Sequence, residues 1–170
     1  SALISGVEYS KFDWILTLDG DGQNDPNDIK KFILLRDKIA NDKLLLAGYR
    51  KLRQDSFYKK LQSKFANKVR AFILKDNTPD TGCGIKLFNK KLFLSFPRFN
   101  HMHRFLPALA IYFNADVQSI DVNHLPRKNG QSHYDMWGRL KVGIIDIFGI
   151  LWLRKRLIIK EITKHNLDNK

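Results

Sequence analysis

Asp19 and Asp21 stand one residue apart in LTLDGDGQNDP, residues 16–26, immediately after an apolar run. Carboxylates so spaced point to one side of an extended strand, and in a following loop both can converge on one cation. Two carboxylates, with waters and a ligand's phosphates, suit Mg²⁺ or Mn²⁺, hard ions that take oxygen donors. Gln23 can add a contact from the same side. The same letters also spell a solvated turn, because Asp and Gly are the usual turn residues. A calcium loop fails on three counts. Numbered from Asp19, its fifth position is Gln23, its sixth Asn24 instead of Gly, and its twelfth Lys30 instead of Glu.

Asp80 precedes a Gly-rich segment and is the carboxylate to nominate if a general base is needed, or else a turn cap before Thr81 and Gly82. His103 and Arg104 either line an acceptor pocket or begin a helix. His101, His103, His124, His133 and Cys83 raise the question of zinc, but their spacing matches no zinc pattern. Cys83 reads as a small buried residue, the usual condition of a free cysteine.

The elements that must position these groups alternate. Residues 12–18 (FDWILTL) form a short apolar run that reads as a buried strand entering a loop. Asp25-Pro26 reads as an N-cap with proline in the first helical position, and Ile29, Phe32, Ile33 and Ile39 line one face of the helix that follows. A second strand is expected over residues 43–49 (KLLLAGY), so strand, helix and strand suggest a mostly parallel sheet with flanking helices. A long helix over residues 56–75 carries Phe57, Leu61, Phe65, Val69, Phe72 and Ile73 at helical spacing, with Lys59, Lys60, Lys64, Lys68 and Arg70 on its other side. Further expectations are a strand over 81–88, a helix over 104–113, a strand over 117–124 and a polar loop RKNGQSHYD.

With 170 residues the chain is one domain's worth. The opening SALISGVEYSKF lacks the basic start and continuous apolar core of a secretory signal, and a single cysteine excludes an internal disulfide framework, which fits a reducing cytoplasm. Lys plus Arg is 30 against 17 for Asp plus Glu, an excess that favours a polyanionic partner. Nucleic acid is not expected, since no recognised motif supports it and the acids at Asp19 would repel phosphate unless a metal intervened. Residues 142–153 (VGIIDIFGILWL) are apolar except for Asp146 and have basic flanks. As a helix they span about 18 Å, short of the roughly 30 Å of bilayer hydrocarbon. Trp137, Leu140, Ile144, Phe148, Leu151 and Trp152 make a stripe that is core in an ordinary protein and an interfacial face in a membrane-surface one. The surface reading is favoured.

Taken together, LTLDGDGQNDP, AGYR (47–50), DTGCGIKLF (80–88), HMHRFLPAL (101–109) and HLPRKNGQSHY (124–134) resemble glycosyltransferase family two, most closely its dolichyl- and polyprenyl-phosphate mannosyl- or glucosyltransferases. The resemblance implies an α/β, Rossmann-like GT-A fold. It also implies a nucleotide-sugar donor held through Mg²⁺ or Mn²⁺, and inverting hexose transfer to polyprenyl phosphate. Asp19, Asp21 and Gln23 match the metal- and diphosphate-binding set, with Asp19 and Asp21 catalytic. Arg127, also catalytic, and Ser132 match donor-diphosphate contacts, while Arg50, Lys59 and Ser63, joined by Arg104, fall where the acceptor phosphate is held. Lys59 stands where many relatives have arginine. The likeness covers nearly all of this chain but only the later part of the family's catalytic domain, and so implies that the nucleobase-binding part is absent from it.

The domain division expected is 1–135 as the C-terminal part of a GT-A catalytic domain and 136–170 as an amphipathic membrane-surface helix and basic tail. The expected location is the cytoplasmic face of the cell membrane. A phosphate monoester has a second pKa near 6 and is already an oxyanion at neutral pH, so such an acceptor needs no dedicated base. The alternative is a partner-dependent or inactive fragment that binds lipid phosphate without catalysing transfer alone, completed by a missing N-terminal segment or by self-association across an exposed sheet edge.

Overall fold

A computed structural model of the chain describes residues 2–50, 70–76, 78–126 and 136–157. Lys59, Ser63, Arg127, Ser132 and most of the helix expected over 56–75 lie outside these residues. The described helices are α1 (Ala2–Tyr9), α2 (Ile29–Ile39), α3 (Lys90–Leu94), α4 (Leu106–Tyr112) and α5 (Met136–Arg156), with residues 70–74 also helical. Four strands, β1 (Trp14–Thr17), β2 (Leu44–Arg50), β3 (Lys86–Asn89) and β4 (Asp116–Val122), form one sheet in the order β1-β3-β2-β4.

β2 explains the layering. Its Leu44–Gly48 stretch is buried throughout, the mark of a strand covered on both faces. Leu44 and Leu46 join Phe32 of α2, Ile85, Leu87, Ile120 and Val122 on one face. Leu45 and Ala47 join Phe88, Leu92, Leu106, Leu109 and Ile150 on the other, so α3, α4 and α5 share that layer. Period-two alternation along one apolar run thus feeds two cores.

The sheet is mixed. β2 and β4 pair in parallel from Leu44↔Asp116 to Arg50↔Val122, whereas β3 lies antiparallel between β1 and β2. Three strands therefore run the same way, as the expectation of a mostly parallel sheet implied, and β3 runs against them. The strand expected over 81–88 begins only at Lys86, because residues 81–85 form the turn that reverses the chain into β3. The helix expected from Arg104 is divided at Phe105 into a 3₁₀ turn, Met102–Arg104, and α4. Ile33 faces solvent on α2 at 42% exposure, and Leu35 packs in its stead.

Local chemistry sets the ends of α2 as expected. The Asp25 carboxylate accepts from Asn27 N at 3.0 Å, Pro26 opens a 3₁₀ turn that runs into the helix, and Ala40 closes it in the left-handed region. α5, 21 residues long, lays Ile147, Ile150 and Leu151 on the core and leaves Ile144, Ile145, Phe148 and Trp152 exposed. Those four fall within an arc of about 100° on a helical projection. Among the described residues, no helix is long and apolar enough to cross a membrane.

A buried ion pair ties residues 70–74 to the turn that delivers Asp80. Arg70 Nη1 lies 2.5 Å from Asp76 Oδ2, and Arg70 Nη2 donates to the Thr78 carbonyl at 2.8 Å. Removing one partner of such a pair strands the other charge in the interior. Asp76→Ala is accordingly expected to lower the unfolding free energy by about 3–5 kcal/mol in urea denaturation. A loss under about 1 kcal/mol, the scale of a surface pair, would contradict a buried staple.

Candidate active site

β1, β2 and β4 run the same way, so their C-terminal ends share one edge of the sheet, where open α/β sheets bind ligands. β1 leads to Asp19, β2 ends on Arg50 and β4 continues to His124. The turn that precedes β3 reaches the same edge from the other direction.

That turn is held from below. Thr17 Oγ1 donates to the Gly84 carbonyl at 2.7 Å, and Gly48 N donates to the Ile85 carbonyl at 2.8 Å. Lys86 is 4% exposed and sends its ammonium up into the turn, donating to the Thr81 carbonyl at 3.3 Å and to the Cys83 carbonyl. Burial lowers the Lys86 pKa, while the charges of Asp19 and Asp80 oppose that shift. Cys83 is fully buried, its Sγ only 2.7 Å from where a Cβ on Gly48 would sit, and burial raises its pKa. A buried thiol of raised pKa is a packing residue, as the sequence suggested.

Gly84 explains the position of Asp19. A Cβ on residue 84 would lie 2.2–2.5 Å from all three atoms of the Asp19 carboxyl group, so this carboxylate rests directly on the glycine backbone. Asp19 is itself exposed, with Arg50, Lys86 and His103 within reach of its charge.

Arg50 and Asp80 form a two-pronged pair. Arg50 Nε donates to Asp80 Oδ2 at 2.6 Å and Nη2 to Oδ1 at 2.9 Å, with side chains only 15% and 4% exposed. Burial works against the Arg50 charge, yet the hydrogen bonds and charge of Asp80 outweigh it and raise the pKa. Asp80, named above as base or turn cap, thus spends both oxygens on Arg50. Its backbone carbonyl also accepts from Cys83 N at 3.4 Å, which retains the turn role.

Asp21 and Gln23 occupy the other flank. Asp21 Oδ1 accepts from Gln23 N at 3.1 Å, and Gln23 Nε2 lies 3.5 Å from His124 Nε2. Arg104 is half-buried in its 3₁₀ turn beside His103, whose pKa is lowered by burial and then by the Arg104 charge. The structure therefore gathers Asp19, Asp21, Gln23 and Arg50 at one sheet edge, and Arg104 adjoins His103, which senses the charge of Asp19. Lys86 was missed by sequence reasoning. A lysine at the head of an apolar strand reads as a solvated end, and only the turn folding over it reveals its burial.

Gly84→Ala tests the seat of Asp19. The carboxylate is expected to shift by about 1 Å, the difference between the clearance at residue 84 and an ordinary contact of ~3.5 Å, as checked by a crystal structure of the variant. An unmoved Asp19 would contradict the packing described.

Dodecaprenyl-phosphate galacturonate synthase of Rhizobium johnstonii is 29% identical over 158 residues, covering 91% of this chain and 46% of that protein. Undecaprenyl-phosphate 4-deoxy-4-formamido-L-arabinose transferases are 27% identical over 136 residues in Aeromonas hydrophila and 28% over 134 in Shewanella sediminis. Those matches cover 80% and 79% of this chain and 41% and 40% of the relatives, so the chain spans less than half the length of the curated relatives it matches. The family model for glycosyl transferase family 2 matches residues 1–95, more than half of the chain, and carries both the acidic loop and the glycine turn beside it: the chain belongs to that family.

Proposed function

We propose that this chain carries the phosphate-handling part of a polyprenyl-phosphate glycosyltransferase, which moves a hexose from a nucleotide-sugar to a polyprenyl phosphate with inversion. The observation that carries this reading is the placement of Asp19, resting on Gly84, beside the oriented guanidinium of Arg50 at one sheet edge. An acidic seat and a fixed cation side by side suit two phosphate-bearing ligands, one reached through a metal and one directly. The relatives' names supply the acceptor class.

The donor set fits Mg²⁺ or Mn²⁺. Among the described residues no three His, Cys, Asp or Glu side chains cluster for a metal, so a cation here would take the Asp19 and Asp21 carboxylates, the Gln23 amide oxygen and oxygens from water and the donor diphosphate. That is the habit of Mg²⁺, which keeps waters and substrate phosphates in its shell. Such an ion supplies Lewis-acid stabilisation of the departing diphosphate.

The remaining work falls to this chain's residues. Arg50, held by Asp80, presents a guanidinium whose orientation is set before the acceptor arrives, which reduces the ordering cost of binding. An acceptor phosphate oxygen attacks the anomeric carbon, the bond from that carbon to the diphosphate oxygen breaks, and the nucleoside diphosphate leaves with the bonding pair. One displacement inverts the centre. The attacking oxygen is already deprotonated at neutral pH, which accords with Asp80 being occupied by Arg50. Arg104 supports the acceptor side. Arg127 and Ser132 on the donor side, and Lys59 and Ser63 with Arg50, complete the proposal from the sequence.

The exposed face of α5 supports a location at a membrane surface. Ile144, Ile145, Phe148 and Trp152 face outward above Lys155 and Arg156, so apolar burial and attraction to anionic lipid act together at a membrane surface. This face would bring the site to an acceptor that resides in the bilayer.

Two measurements test the proposal. Protein incubated with Mg²⁺ or Mn²⁺, polyprenyl phosphate and UDP- or GDP-sugars is expected to yield lipid-linked sugar. Asp21→Ala should lower the rate at least about 100-fold, the scale of a lost metal contribution of several kcal/mol. No product, or an unchanged rate in Asp21→Ala, contradicts it. Phe148→Ser with Trp152→Ser should weaken sedimentation with anionic vesicles by at least about tenfold, since each large apolar side chain contributes ~1.5–3 kcal/mol when buried. Undiminished binding would remove α5 from the membrane contact.

A further inference from the structure

The exit of β4 is laced to the acidic loop. Asn123 N donates to Asp28 Oδ2 at 2.6 Å, and Asn123 Nδ2 donates to Asp25 Oδ2 at 3.1 Å. Asp28 is itself 1% exposed and paired with Lys31 at 2.6 Å, so the anchor for Asn123 is rigid. One residue on, Asn24 and His124 form an antiparallel bridge, and Leu125 N donates to the Gln23 carbonyl at 3.0 Å. These contacts fix both backbones on either side of a side-chain contact, Gln23 Nε2 to His124 Nε2 at 3.5 Å.

A carboxamide has one oxygen prong and one nitrogen prong, and only the oxygen can meet a cation. A neutral imidazole protonated on Nδ1 offers Nε2 as an acceptor, which draws the nitrogen prong of Gln23 to itself and turns the oxygen prong the other way. Without that partner the amide is free to present either prong. Groups that hold a ligand side chain in this manner commonly change metal affinity by about 10–100-fold when lost.

We propose that His124 is a positioning residue for the acidic loop: held by the Asn123–Asp28 anchor and the Asn24 bridge, it orients the Gln23 carboxamide so that Oε1 is offered to a divalent cation. This rests on reading the loop as a cation seat. It assigns His124 a role that its place among the five histidines in the sequence did not suggest.

Mn²⁺ binding to the full chain, followed by electron paramagnetic resonance of the free ion, tests the proposal without any sugar transfer. His124→Phe is expected to weaken Mn²⁺ about tenfold with its thermal melt unchanged, whereas His124→Gln, which keeps an acceptor, stays within about threefold of the parent. In a Gln23→Ala background His124→Phe should have no further effect, because the two residues act as one. If His124→Phe melts early, His124→Leu, smaller and equally unable to accept, is read in its place. Unchanged Mn²⁺ affinity without the imidazole overturns the proposal, as does an equal further loss in the Gln23→Ala background or a tenfold loss in His124→Gln. Mn²⁺ binding retained in Asp21→Ala shows instead that the loop is no cation seat, which overturns the underlying reading and this one with it.

Discussion

A buried ammonium must be balanced by groups that cannot drift away, and at Lys86 this requirement organises the site. Its Nζ saturates two carbonyls of the turn that precedes β3, and the anions that offset its burial include Asp19 and Asp80. Asp19 lies close because residue 84 has no side chain, and Asp80 lies close because Arg50 holds both of its oxygens. Two cations and two anions thus interlock around five residues of backbone, and a change to any one alters the field felt by the others.

The sheet makes the interlock possible. Because β3 runs against its neighbours, its beginning meets the ends of β1 and β2, and the turn before it lies across the edge where Asp19 and Arg50 emerge. An all-parallel sheet would carry that turn to the opposite edge. β4, beside β2, brings Asn123 and His124 up to the far flank of the acidic loop. The loop is therefore fixed on both sides by segments distant in sequence, while Asp21 closes a local turn on Gln23 N.

Much of this was legible in the residues. The apolar run of β1, the Asp25-Pro26 start of the next helix and the doubly buried β2 each follow from local pattern, and LTLDGDGQNDP marks the loop that leaves β1 at the edge where β2 ends on Arg50. The direction of β3 was not, since TGCGIKLF carries no mark of which neighbour it will pair with or in which sense. Asp80 was ambiguous for the same reason, because its partner Arg50 is 30 residues away. Burial of Lys86 and the contact of Gln23 with His124, 101 residues apart, are properties of the folded edge and leave no periodic trace in the chain. Ile33 shows the converse, an apolar residue at helical spacing that the fold leaves in solvent.

The proposed function centres on a cation that the acidic loop would hold between the Arg50 flank and the His124 flank. Anomalous diffraction from crystals soaked in MnCl₂ and a nucleoside diphosphate tests it most directly. The account predicts one strong manganese peak within about 2.0–2.4 Å of oxygens from Asp19, Asp21 and Gln23, with diphosphate oxygens completing its shell. Bound diphosphate with no manganese at the loop, or with manganese held elsewhere, would contradict it.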